Sequence, residues 1–200
     1  MDHVRAFVGI PLPDACQDLA ADLGRRLASL ANGAASPAKA GNIHLTLKFL
    51  GNVPVGLSAG EADGGPDGLP AVAGALAAIP FAPFTLRLGG GGFFPGPARP
   101  RVVWAALADG AGPCHTLARA VEAAMAPLGF APEPKPFTAH LTLARLREPG
   151  RGGDWPGMLR LLAAAGWPAV PVGSFTLWRS ILGPAGARHE VLAEFPATAA

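Results

Sequence analysis

Two hundred residues with 16 Lys and Arg against 14 Asp and Glu carry a formal charge of +2. That is too weak for a protein that coats duplex nucleic acid, although it leaves room for a local basic site. Half of the residues are hydrophobic, yet no run approaches the roughly 18 apolar residues of a membrane span, so no membrane partner is expected. The opening Met1-Asp2-His3-Val4-Arg5 lacks the basic segment, apolar stretch and cleavage site of a signal peptide. Cys16 and Cys114 make neither a disulfide framework nor a zinc site, and read as two reduced thiols in a cytoplasmic chain.

Taken in order, Arg5 to Leu12 reads as a strand ended by Pro11 and Pro13. Asp14, with Gln17 three residues on, has the pattern of a capping box, and Leu19, Leu23, Leu27 and Leu30 then recur at helical spacing up to Gly33. A strand is expected over Ile43 to Leu50, followed by a mobile loop from Gly51 to Gly68 rich in Gly, Pro and Asp. Leu69, Val72, Leu76 and Ile79 share a face of a short helix, and Phe84 to Leu88 is a strand that runs into Gly89 to Gly92. The order then repeats. Arg101 to Leu107 is a strand, Pro113 opens a helix carrying Leu117, Val121, Met125 and Leu128, and a second strand begins at His140. A Gly/Pro loop spans Glu148 to Gly153, Met158, Leu159 and Leu162 lie on a short helix, and strands are expected over Ser174 to Trp178 and His189 to Phe195.

Two of these strands carry the same phrase, His44-Leu45-Thr46-Leu47 and His140-Leu141-Thr142-Leu143. Side chains alternate across a strand, so each His shares a face with its Thr while the leucines take the other face. One such pair is readily a solvated face; two matched copies in matched halves are hard to assign to chance. Phe7 lies 37 residues before His44 and Val103 lies 37 before His140 (44 − 7 and 140 − 103), and Phe-Thr-Leu follows each motif at Phe84 and Phe175. This spacing suggests a duplication with units of about residues 3–92 and 100–196 in a single bilobal domain over 1–200. The expected fold is α+β: two pseudo-symmetric lobes, each an antiparallel sheet with helices on its outer face, and a cleft between them. If that cleft holds a phosphate diester, one imidazole can take a proton from an attacking water and the other give one to the leaving oxygen, while the two threonines bond the non-bridging oxygens. No carboxylate or cysteine lies beside either motif to complete a metal site, so neither metal nor cofactor is expected. One histidine must then be neutral and the other protonated, which implies a bell-shaped pH profile.

Both motifs, with their surroundings, resemble the two-histidine (2H) phosphoesterase superfamily. The closer likeness is to the RNA 2′,3′-cyclic phosphodiesterases, also called 2′-5′ RNA ligases. It is carried by Arg5-Ala-Phe-Val-Gly-Ile, His44-Leu-Thr-Leu-Lys-Phe-Leu-Gly, Phe93-Phe-Pro-Gly-Pro-Ala-Arg-Pro-Arg-Val-Val-Trp, Pro136-Phe-Thr-Ala-His-Leu-Thr-Leu-Ala-Arg and the stretch from Trp178 to Leu192. The resemblance implies opening of a 2′,3′-cyclic phosphate at an RNA end, or in a cyclic nucleotide, to a 2′-phosphate. It makes His44 the proton donor, His140 the proton acceptor, and Thr46 and Thr142 phosphate ligands. The sequence departs from the family at Pro37-Ala38-Lys39, where many relatives have Arg-Trp-Val, and at His189, where a tyrosine is usual.

Alternation puts Lys48 on the face of His44 as a phosphate contact. Arg145 falls with the leucines unless a bulge turns it into the cleft. Arg179 and Ser180 lie in a family-like stretch, and Phe7 and Phe137 are candidates to stack a base or to pack in the core. His3, His115 and His189 lack a Thr two residues on and read as surface residues. Gly89 to Gly92 follow a strand, but Phe93-Phe94-Pro95 cannot open a helix, so the dinucleotide-fold reading fails; the lack of a P-loop argues against an ATP-dependent ligase. The expected protein is a monomeric cyclic phosphodiesterase. The alternatives are a 2H enzyme acting on another small cyclic phosphate and a non-catalytic RNA-end binder.

Overall fold

The computed structural model describes residues 2–56, 67–147, 153–184 and 186–198. Among these residues nine strands form one antiparallel sheet. They are β1 (His3–Pro11), β2 (Ala35–Pro37), β3 (His44–Pro54), β4 (Phe84–Phe94), β5 (Val102–Asp109), β6 (His140–Leu146), β7 (Ala169–Val172), β8 (Ser174–Gly183) and β9 (Gly186–Pro196). Their order is β7-β4-β5-β6-β3-β1-β8-β9, with β2 added beside β6. The two motif strands, β3 and β6, are neighbours at the centre, yet share a single register pair, Leu45 with Leu141. The sheet therefore curls into two lobes at that seam, with β7, β4, β5, β6 and β2 on one side and β3, β1, β8 and β9 on the other.

Each lobe draws on both halves of the chain. The β6 lobe takes β4 from the first half, paired to β5, and the β3 lobe takes β8 from the second, paired to β1. Helices follow the same exchange. The helix α1 (Asp14–Leu30) and the helix α4 (Trp155–Ala163) cover the β6 lobe, while α2 (Leu69–Ala77) and α3 (Ala111–Met125) cover the β3 lobe. Close approach needs small residues. A Cβ on Gly24 of α1 would lie 3.1 Å from the Leu143 carbonyl oxygen, and one on Gly9 of β1 would lie 2.6 Å from that of Leu45. Leu23 and Leu27 of α1, Leu117, Val121 and Met125 of α3, and Leu141 and Leu143 of β6 fill the apolar core. Cys16 and Cys114 are free and buried in it. No described helix is long and apolar enough to cross a membrane.

Several local expectations are corrected. Gln17 does not cap α1, whose N-cap is Pro13. Its side chain instead donates to the Ile43 carbonyl at 2.6 Å and accepts from the Gly41 N–H at 3.2 Å, bracing the turn that leads into His44. The loop expected from Gly51 starts later, because β3 pairs with β1 as far as Pro54; residues 57–66 of it, and 148–152 of the second loop, lie outside the described residues. β4 continues through Gly89 to Gly92, with Gly91 and Gly92 paired to Ala105 and Trp104. The unforeseen β7 contains Pro171, which an edge strand tolerates because one side needs no ladder bonds.

Candidate active site

Both motif strands carry the same bulge at the same station. Val8 pairs with Lys48 and Gly9 with Thr46, so Leu47 is the extra residue; Val103 pairs with Ala144 and Trp104 with Thr142, so Leu143 is. An extra residue reverses the alternation beyond it. Lys48 is turned inward, 2% exposed, and Phe49 outward, 57% exposed. Ala144 is likewise buried and Arg145 exposed. The expectation that Lys48 shares the face of His44 is thus wrong. Its ammonium donates to both Glu122 carboxylate oxygens, at 3.0 and 2.9 Å, and to the Ala131 carbonyl at 2.9 Å. The register also corrects the spacing of Phe7 and Val103: Phe7 faces Phe49, and Val102, not Val103, faces Arg145.

A cleft of about 810 Å³ runs between the lobes. His44, Thr46, His140 and Thr142 all line it, together with Phe7, Arg145 and Ser180. Phe137 and Arg179 do not. Phe137 packs against the core and His115, with ring centroids 5.1 Å apart, and Arg179 is held by Glu190 across the β8–β9 ladder. Phe7 reaches the cleft but offers no ring face to a ligand. At 2% exposure it stacks on His44 at 4.5 Å and on Trp178 at 5.2 Å.

The two histidines are held alike. His44 Nδ1 lies 2.7 Å from the Asn42 carbonyl oxygen, and His140 Nδ1 lies 2.7 Å from that of Thr138. A carbonyl only accepts, so in each ring Nδ1 carries the hydrogen and Nε2 is the atom that gains or loses a proton. Burial pushes the pKa of His44 down to about 4, against the Asn42 bond that raises it; the charges of His189 and His140 lower it further. His140 is also lowered, by burial and by Arg145, against the bond to Thr138. Both shifts favour the neutral ring near pH 7. An anion between them reverses that balance, because a negative charge favours the imidazolium.

Sequence reasoning missed four cleft residues. Phe49 was hidden by the bulge, which alternation does not foresee. Phe94 follows a glycine run that reads as the end of a strand; its ring stands 4.9 Å from that of His140, nearly perpendicular, and stacks on Trp104 at 4.8 Å. Asn42 anchors His44 through its backbone, which leaves no side-chain signature. His189, expected at the surface, lies against His44 with ring centroids 5.2 Å apart. Among the described residues no group of three or more His, Cys, Asp or Glu could hold a metal ion.

Known proteins share this architecture. A family model described as LigT like phosphoesterase matches residues 10–104 and 108–189. An RNA 2′,3′-cyclic phosphodiesterase of Aeropyrum pernix is 36% identical over 161 residues, covering 78% of this chain and 82% of that one. One of Archaeoglobus fulgidus is 29% identical over 96% of this chain and 99% of its own. Among solved structures, TT0787 of Thermus thermophilus superposes with a TM-score of 0.72 at 26% identity, over 96% of this chain and 97% of that one. E. coli LigT complexed with 3′-AMP does so with 0.69 at 25%, over 99% and 100%. With a family model spanning nearly all of its length, this chain belongs to the LigT-like phosphoesterases of the 2H phosphoesterase superfamily.

Proposed function

We propose that the chain opens 2′,3′-cyclic phosphates at RNA ends to 2′-phosphates, with His44 as general acid and His140 as general base. The observation that carries this reading is the pair of identically anchored imidazoles, each with its threonine, lining one cleft. Relatives named as RNA 2′,3′-cyclic phosphodiesterases supply the substrate class.

In the reaction, Nε2 of neutral His140 takes a proton from water as the water oxygen bonds to phosphorus. The P–O3′ bond breaks, and Nε2 of protonated His44 gives its proton to O3′. The products are a 3′-hydroxyl and a 2′-phosphate, with one water consumed. Thr46 and Thr142 donate hydroxyl hydrogens to the non-bridging oxygens, where charge builds in the transition state. His44, whose burial favours the neutral ring, acquires its proton along with the anionic substrate. Phe49 offers an exposed ring to a base, and Arg145 a cation to the phosphate or the preceding backbone. A 5′-hydroxyl in place of water would yield a 2′-5′ linkage with the same two proton transfers.

Both histidines come from one chain, which suits a monomer. Two free, buried thiols suit a reducing cytoplasm. The repeated bulge and exchanged strands support one bilobal domain over 1–200 assembled from units of about 3–92 and 100–196.

Product analysis tests the reading. In EDTA, the purified protein should convert both an oligonucleotide and a mononucleotide ending in a 2′,3′-cyclic phosphate to the 2′-phosphate. Binding without turnover would make it an RNA-end binder. Turnover of only a non-RNA cyclic phosphate would make it a 2H enzyme of another substrate class.

A further inference from the structure

The His44 ring sits in a corner made by residues of three strands. Phe7 of β1 stacks on it, and His189 of β9 stands nearly perpendicular to both rings, 5.2 Å from His44 and 4.9 Å from Phe7 between centroids. Trp178 of β8 backs Phe7. One residue ties the corner together. The carbonyl of Asn42 anchors His44 Nδ1, its Oδ1 accepts from the His189 N–H at 3.2 Å, and its Nδ2 donates to the Ala187 carbonyl at 2.6 Å. His140 has an aromatic wall too, from Phe94 and Trp104, but among the described residues no imidazole stands in it. The two halves of the cleft differ at this point.

We propose that His189 is a positioning residue for His44: it closes the corner that aims the His44 ring and leaves His44 as the imidazole that takes up the proton when an anion binds. The inference rests on the reading of His44 as the proton donor. It requires His189 to stay neutral, and its surroundings favour that. His189 Nδ1 is buried and has no partner among the described residues, so a protonated ring would bury an N–H without an acceptor. The nearby carboxylates are engaged elsewhere. Arg179 and Arg188 hold Glu190, and Glu194, in the smaller cavity of about 230 Å³ on which His44 and His189 also border, accepts from the Ser174 hydroxyl. Lys39, at the cleft wall, adds positive charge. Burial lowers the basicity of His189 in the same direction. A proton on His189 would repel one on His44, so the neutral ring keeps the donor site available.

The test uses His189→Ala, which opens the corner, and His189→Phe, which keeps a ring but removes the titrating group. His44 is titrated by NMR with and without inorganic phosphate, and steady-state rates are measured on a nucleoside 2′,3′-cyclic phosphate. His189→Ala should lower kcat by roughly tenfold or more with KM within about threefold, as expected when a reacting group is misaimed. His189→Phe should keep kcat within about threefold of the wild type and leave the His44 titration in phosphate unmoved, because a neutral His189 carries no charge for the substitution to remove. The proposal is overturned if His189→Ala keeps the wild-type kcat, if it raises KM alone, or if His189→Phe loses as much kcat as His189→Ala. A His44 titration in phosphate that moves to higher pH in His189→Phe also overturns it, because His189 would then compete for the proton, and that result stands even if His189→Ala fails to fold. A wild type that opens no cyclic phosphate would sink the functional reading instead, and the titrations would still report on the corner.

Discussion

Replacing Lys48 by methionine separates two roles for this residue: phosphate contact, as plain alternation along β3 implies, and buried cross-link, as the bulge dictates. Methionine keeps an unbranched stem and loses the ammonium that donates to Glu122 and to the Ala131 carbonyl. Removing one partner of a buried ion pair costs about 3–5 kcal/mol. Here the stranded partner decides the magnitude. The Glu122 side chain is 31% exposed and keeps a bond from the Glu133 N–H, so water offsets part of the loss. We expect about 2–3 kcal/mol for Lys48→Met. Glu122→Leu strands an ammonium that is 1% exposed and should cost the upper end, about 4–5 kcal/mol. At about 2–4 °C per kcal/mol for a chain of this size, Tm falls by about 4–12 °C and about 8–20 °C respectively. The double replacement should recover much of the difference. Thermal unfolding followed by circular dichroism reads these shifts, and kcat measured well below Tm should stay within about threefold of wild type. An unchanged Tm with a large loss of kcat or rise in KM would refute the buried cross-link and return Lys48 to the phosphate.

Other consequences are equally direct. Phe49→Ala should raise KM for a cyclic nucleotide by about 5–150-fold with a smaller change in kcat, since a base–aromatic stack is worth about 1–3 kcal/mol. Arg145→Gln should weaken inorganic phosphate binding more at low than at high salt, because Arg145 is exposed and its field is screened; a salt-independent loss would argue against a charge contact. The folded-state pKa of His44, about 4, lies below the ordinary 6.5, so the neutral ring contributes stability that is fully present above pH 6.5 and is lost as pH falls through 4. That contribution is about 3 kcal/mol and should be missing from the pH–stability curve of His44→Phe. Inorganic phosphate binding near pH 6 should take up a proton, read by calorimetry in buffers of different ionisation enthalpy; binding with no proton change would contradict the protonation of His44 by the anion.

Much of this molecule was legible from periodicity. Leu23 and Leu27, or Leu117, Val121 and Met125, recur at helical spacing and do face the core, because burial of a helix stripe leaves its mark on every turn. The His-x-Thr face was legible for the same reason at period two. What escaped depends on contacts distant in sequence. The bulges at Leu47 and Leu143 are set by pairing with β1 and β5, so no local rule foresaw that Lys48 turns in while Phe49 and Arg145 turn out. His189 has no Thr companion, and its nearness to His44 follows from β8 crossing to pair with β1 and carrying β9 along. Phe137 and Arg179 sit in promising stretches, but packing on His115 and pairing with Glu190 take them out of the cleft. Motif position alone does not reveal such partners.

The central claim is that two imidazoles act as one acid–base pair on a cyclic phosphate. Its most direct test is the kcat of His44→Ala, His140→Ala and the double variant on an RNA ending in a 2′,3′-cyclic phosphate, with folding verified by circular dichroism. Each single variant should lose about 10²–10⁴ in kcat, and the double variant little more than the worse single one, because the two groups act in one step. A folded single variant that keeps a tenth or more of the wild-type kcat would contradict it.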